Sequence, residues 1–127
     1  MATLEELRVE LDKIDNQMVE LYQKRMNVCR EVGDYKVKAG RKVYDRQREQ
    51  EKLADVASKV DNDFDKNGVR ELYTQLMSMS RKLQYQKLVD FLLFRLILLR
   101  RILPELCSRE QKVLTEKRQC ISSLEKM

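Results

Sequence analysis

LEELRVELDKIDNQMVELYQKRMNVCREVGDYK, residues 4–36, decides the fold. Apolar side chains recur at alternating steps of three and four through Leu4, Leu7, Leu11, Ile14, Met18 and Leu21, and again at Val28, Val32 and Tyr35. That spacing is the seam of a long amphipathic helix. Thr3 stands as its N-cap with Glu6 at the capping-box position, and the helix is expected to run to about Lys38. At 1.5 Å per residue it extends roughly 50 Å, more than the width of a small globule. The rest of the chain is too short to bury such a seam, so the pattern asks for a second copy and an intertwined helical dimer. One position breaks the seam. Arg25 stands where a leucine belongs between Leu21 and Val28, and a guanidinium there is costly unless paired. It implies either an ion pair, with Glu49 a candidate partner, or a bound anion.

Outward from this helix, Ala39, Gly40 and Arg41 break the pattern. Asp45 reads as the N-cap of a second helix to about Val60, with Glu49, Leu53, Val56 and Val60 on one face. DNDFDKNG, residues 61–68, is turn chemistry. A third helix is expected from about Val69, with Leu72, Tyr73, Leu76, Ser80, Leu83 and Gln84 on its inner side. Gly33 costs the first helix about 1 kcal/mol relative to alanine, which points to a close backbone approach.

Composition supports an all-α, three-helix chain: three Gly, one Pro and 37% charged residues among 127, with no β-type alternation of useful length. The net charge is +5, but the signs are interspersed, as on solvated helix faces rather than a nucleic-acid surface. The absence of histidine excludes histidine-based triads, histidine general bases and nearly every zinc or iron site, so no metal is expected; no cofactor is expected either. Cys29, Cys107 and Cys120 lack metal-type spacing and read as reduced thiols in a cytoplasmic protein. The first residues carry no export pattern.

Each helix places polar residues on an otherwise apolar face. Arg25 and Lys36 are 11 residues apart, close to three turns, and so share a face about 16 Å apart. Between them lie Cys29, which either lines a pocket or packs, and Val32. The second helix adds Arg48 and Glu49, and the third adds Ser80 and Gln84 one turn apart. Singly, each has a structural explanation as an ion-pair, packing or boundary residue. Together they describe a polar pocket suited to a small dianion carrying a hydroxyl.

These residues carry a resemblance. The segment at 4–36, then VYDRQREQE at 43–51 and LYTQLMSMSRKLQYQ at 72–86, resemble the all-helical chorismate mutases, most closely the mutase domain of bifunctional mutase–prephenate dehydratase proteins. Arg8, Arg25, Lys36, Asp45, Arg48, Glu49, Ser80 and Gln84 match the family's active-site pattern. The resemblance implies rearrangement of chorismate to prephenate without nucleophile or proton transfer. It implies that Arg8 and Arg25 grip the two carboxylates and that Lys36 and Gln84 donate to the ether oxygen. Glu49 and the backbone at Asp45 would hold the ring hydroxyl, with Arg48 and Ser80 completing the pocket. Some relatives carry a glutamate in place of Gln84, which must be protonated to donate; an amide has no such requirement.

Arg8 and Arg25 are 17 residues apart on one helix, about 25 Å, further than one chorismate reaches. If both grip one substrate, Arg8 comes from the partner of an antiparallel homodimer. The resemblance covers a mutase domain at residues 1–88. It leaves a tail, 89–127, that matches no part of the family and is too short for a dehydratase, so phenylalanine feedback is not expected. Within the tail, LVDFLLFRLILLRRILPELC (88–107) extends the third helix to Pro104, which ends or kinks it, with a short terminal helix at 108–126. It is too short and too charged for a membrane span, leaving packing on the dimer or partial disorder, or else surface association with a membrane or another protein. Two other functions fit the sequence: an isochorismate-pyruvate lyase on the same fold, against which RKVYDRQRE (41–49) reads as mutase-like, and a non-enzymatic helical dimerisation module.

Overall fold

A computed structural model describes residues 1–126. It contains three helices and, among the described residues, no strand: α1 Leu4–Lys38, α2 Arg46–Ser58 and α3 Asp63–Glu125. The all-α class and the very long first helix are as the sequence reads. Thr3 caps α1 with both halves of the capping box: Thr3 Oγ1 accepts from Glu6 N at 3.3 Å, and Thr3 N donates to Glu6 Oε2 at 2.8 Å. Glu5 and Glu6 in the first turn and Lys36 and Lys38 in the last complement the helix dipole. Gly40, at φ 63°, takes the left-handed conformation that ends the helix. Asp45 caps α2, its Oδ1 accepting from Arg48 N at 3.0 Å.

α2 stops at Ser58, with Lys59 rather than Val60 at its end. α3 differs more from expectation. It begins at Asp63, so residues 63–68 are helix and not turn. Asn62 explains the early start: its Oδ1 accepts from Asp65 N at 2.7 Å while its Nδ2 donates to Asp65 Oδ2. The turn residues act here as a cap with acidic side chains in the first turn. Nor does Pro104 terminate the helix; it lies inside α3, and residues 108–126 are not a separate element. A proline removes one backbone hydrogen bond, and the residues after it are predominantly good helix formers.

The chain divides into two units, Met1–Val89 and the residues from Asp90 on. In the second, every described residue is exposed. Among the described residues, no helix is long and apolar enough to cross a membrane.

In the first unit the core is small: Met26 on α1, Val43 before α2, Val56 and Ala57 on α2, and Met77 on α3. The α1 seam is left uncovered, with Leu11 58% and Leu21 63% exposed and Leu4, Leu7, Ile14 and Met18 similar. The buried residues of α1 are instead Met26 and Gly33. A Cβ added at Gly33 would lie 3.2 Å from Gln84 Cγ and 3.4 Å from its Cα. This is the close approach that the glycine implied.

Gly33 and Gly68 therefore differ in what they tolerate. Gly68 lies in α3 with nothing within 4 Å of an added Cβ, so Gly68→Ala should stabilise by up to about 1 kcal/mol through helix propensity. Gly33→Ala gains the same propensity but presses on a buried side chain, at a cost of about 1–3 kcal/mol. Urea denaturation should show opposite shifts in midpoint. A rise of equal size in both would mean that Gln84 yields without cost.

Candidate functional site

α1, α2, α3 and the connection before α2 line a half-open cavity of about 240 Å³. α1 supplies Arg25, Cys29, Val32 and Lys36, which project at one-turn intervals along a single face. The connection and α2 supply Val43, Asp45, Arg48, Glu49 and Lys52, and α3 supplies Met77, Ser80, Arg81 and Gln84. Of the eight residues singled out in the sequence, Arg25, Lys36, Asp45, Arg48, Glu49, Ser80 and Gln84 line this one space. Arg8 does not. Its side chain is 62% exposed and pairs with Glu5 at 3.2 Å.

Two groups of contacts between α1 and α3, one at Ser80 and one at Gln84, organise the cavity. Arg25 Nη1 donates to Ser80 Oγ at 2.8 Å, and Ser80 Oγ donates in turn to Leu76 O at 2.9 Å. Cys29 Sγ lies 3.2 Å from the same hydroxyl. Because the single hydroxyl proton of Ser80 goes to Leu76, the thiol is the donor in that contact. About three turns along α1, Lys36 Nζ donates to Gln84 Oε1 at 3.1 Å and to Val43 O at 2.8 Å. With Oε1 occupied, Gln84 keeps Nε2 as its donor end. Ser80 and Gln84 are both buried, 6% and 7% exposed, so their polar groups require such partners.

The hydrogen bonds of Arg25 and Lys36 thus go to neutral groups: a hydroxyl, a thiol, an amide and a backbone carbonyl. Glu49 is not the partner of Arg25. It pairs with Arg81, whose guanidinium also lies over the Tyr44 ring at 5.1 Å. Lys52 is drawn to Asp55 at 3.0 Å. The hydrogen bonds from Lys52 and then Lys59 hold the Asp55 carboxyl below its ordinary value. The lining contains Arg25, Lys36, Arg48, Lys52 and Arg81 against Asp45 and Glu49. Such an excess of cations in a confined space favours a small anion. No group of three or more potential metal ligands occurs among the described residues.

Sequence reasoning missed Arg81, Lys52 and the carbonyl of Val43. A signal existed for Arg81: it stands four residues after Met77 and three before Gln84, hence on the face that bears both. Val43 acts through its backbone, which side-chain patterns do not reveal.

A family model described as chorismate mutase type II matches residues 7–85, more than half of the chain. No curated protein matches the chain.

Proposed function

We propose how the cavity works in a chain that belongs to the chorismate mutase type II family and is an isomerase, converting chorismate to prephenate. In this rearrangement one C–O bond breaks as one C–C bond forms within a single molecule. The protein has to hold the compact conformer of the substrate and stabilise the charge that separates as the bond stretches. The observation that carries our reading is the pairing of Lys36 Nζ with Gln84 Oε1 at 3.1 Å, with Arg25 held by Ser80 on the same two helices.

In this reading Arg25 binds one carboxylate through its guanidinium, kept in place by the Ser80 hydroxyl. Lys36 and the Nε2 end of Gln84 donate to the ether oxygen, where negative charge grows. Because their donors are already fixed, little reorganisation is needed at the transition state. Glu49 accepts from the ring hydroxyl near the backbone of Asp45, and Arg48 adds positive charge to the rim. We assign the activity to residues 1–88. Within the family, the segments at 4–36, 43–51 and 72–86 support kinship with the mutase domain of the bifunctional mutase–prephenate dehydratases. The product chemistry supports a role in phenylalanine and tyrosine biosynthesis, and three unpaired cysteines suit the cytoplasm.

The second carboxylate needs another cation, and we assign it to Arg8 of a second copy. Within one α-helix Arg8 and Arg25 are about 25 Å apart, and the apolar seam between them is exposed. An antiparallel homodimer that covers the seam carries Arg8 of each chain towards Arg25 of the other.

Purified protein should deplete the chorismate absorbance and yield prephenate as its product. Lys36→Met should lower kcat/KM by about 100-fold or more, on the scale of losing one oxyanion donor, with the fold retained by circular dichroism. Activity should persist through neutral pH, whereas Gln84→Glu should confine it to acid, where the carboxyl is protonated and can donate. A sharply acidic optimum in the parent protein would contradict the role given to Gln84.

Sharing of the site predicts complementation. Arg8→Ala and Arg25→Ala homodimers should each be nearly inactive. Mixed dimers should regain activity, because one of their two sites contains both arginines. Confirmed heterodimers without recovery would refute the shared site.

A further inference from the structure

Arg81 lines the cavity but has no part in the reading above, and its two contacts are specific. It forms an ion pair with Glu49, the two side chains being 28% and 21% exposed, and it stacks over Tyr44 at 5.1 Å. Tyr44 lies between Val43, whose carbonyl takes Lys36 at 2.8 Å, and Asp45, the cap of α2. The guanidinium therefore joins α3 to both the connection and α2.

We propose that Arg81 is a positioning residue for the mutase reaction: it holds Glu49 by Oε2, presenting Oε1 to the ring hydroxyl of the substrate and keeping the carboxylate from the other cations of the cavity. This inference rests on the role given to Glu49 above. A carboxylate among Arg25, Lys36 and Arg48 is drawn to whichever cation it can reach, and any of those pairings would neutralise charge that a dianionic substrate needs. Arg81 supplies the counter-ion from α3, and the stack on Tyr44 fixes the plane of its guanidinium. One carboxylate oxygen is engaged and the other remains an acceptor. Among the described residues Arg25 and Lys36 meanwhile bond to neutral groups, which leaves their charge for the substrate carboxylate and the developing ether anion. The pair thus separates a cation that serves the protein from cations that serve the substrate.

The test compares chorismate with a chorismate analogue lacking the ring hydroxyl, for the parent protein, Arg81→Met, Arg81→Lys, Glu49→Gln and the Arg81→Met/Glu49→Gln double variant. On chorismate, Arg81→Met should lower kcat/KM by about tenfold, the scale of one charge-assisted hydrogen bond, and Arg81→Lys should recover part of it. On the analogue, Arg81→Met should cost no more than about twofold, since no hydroxyl remains for Glu49 to orient. The double variant should be no worse than Glu49→Gln alone. Equal losses on both substrates, or additive losses in the double variant, would overturn the proposal by showing that Arg81 binds substrate directly or only supports the fold. If Arg81→Met does not fold, Arg81→Gln carries the same comparison. A parent protein inactive on chorismate would instead refute the mutase reading itself, before any variant is compared.

Discussion

The approach of Gly33 to Gln84, where an added Cβ would lie 3.2 Å from Cγ, fixes how closely α1 and α3 run past each other, and the cavity depends on that spacing. At this separation Arg25 reaches Ser80 at 2.8 Å and Lys36 reaches Gln84 at 3.1 Å. Both bonds connect residues about 50 positions apart in the chain, so they form only when the two helices are in register. A side chain at position 33 would spread the helices in the stretch between the two bonds. The glycine weakens α1 locally, and what it makes possible is a pair of rigidly held cations.

Holding cations in a partly buried space is costly unless their donors are used. Here the chain satisfies them with neutral acceptors, which compensates the hydrogen bonds without cancelling the charge. A carboxylate in either place would give a stronger pair and a worse anion site. Arg81 and Glu49 show the other arrangement, a cation and an anion that neutralise each other at the edge of the same cavity. The two kinds of pairing explain why a cavity rich in charge remains suited to a dianion.

Much of this was legible in sequence because it is encoded over short distances. Thr3 with Glu6, Asp45 with Arg48 and the break at 39–41 are local hydrogen-bonding and φ constraints, and each occurs where the residues imply it. The face shared by Arg25 and Lys36 follows from helical period alone. What was not legible depends on context. Residues 61–68 contain Asn, Asp and Gly, which serve turns and helix caps alike, and the reciprocal Asn62–Asp65 bonds decide for a cap. Pro104 disfavours a helix without forbidding one. The choice of Glu49 between Arg25 and Arg81 depends on the packing of three helices, which no spacing along one helix expresses.

Stability and function meet on the exposed side of α1. Among the described residues five apolar side chains form the buried core, a small amount of buried surface to offset the ordering of a 35-residue helix. The residues that would enlarge that core, Leu4 through Leu21, lie on the stretch that separates Arg8 from Arg25. In the proposed dimer, one event buries this seam and brings the second carboxylate-binding arginine into reach, because both follow from the antiparallel register of the same helix. A chain that gained its stability elsewhere could bind a partner loosely and still leave Arg8 misplaced. In that proposed dimer the apolar steps of three and four along α1 set the position of the arginine proposed for the second carboxylate as well as the packing of the helix.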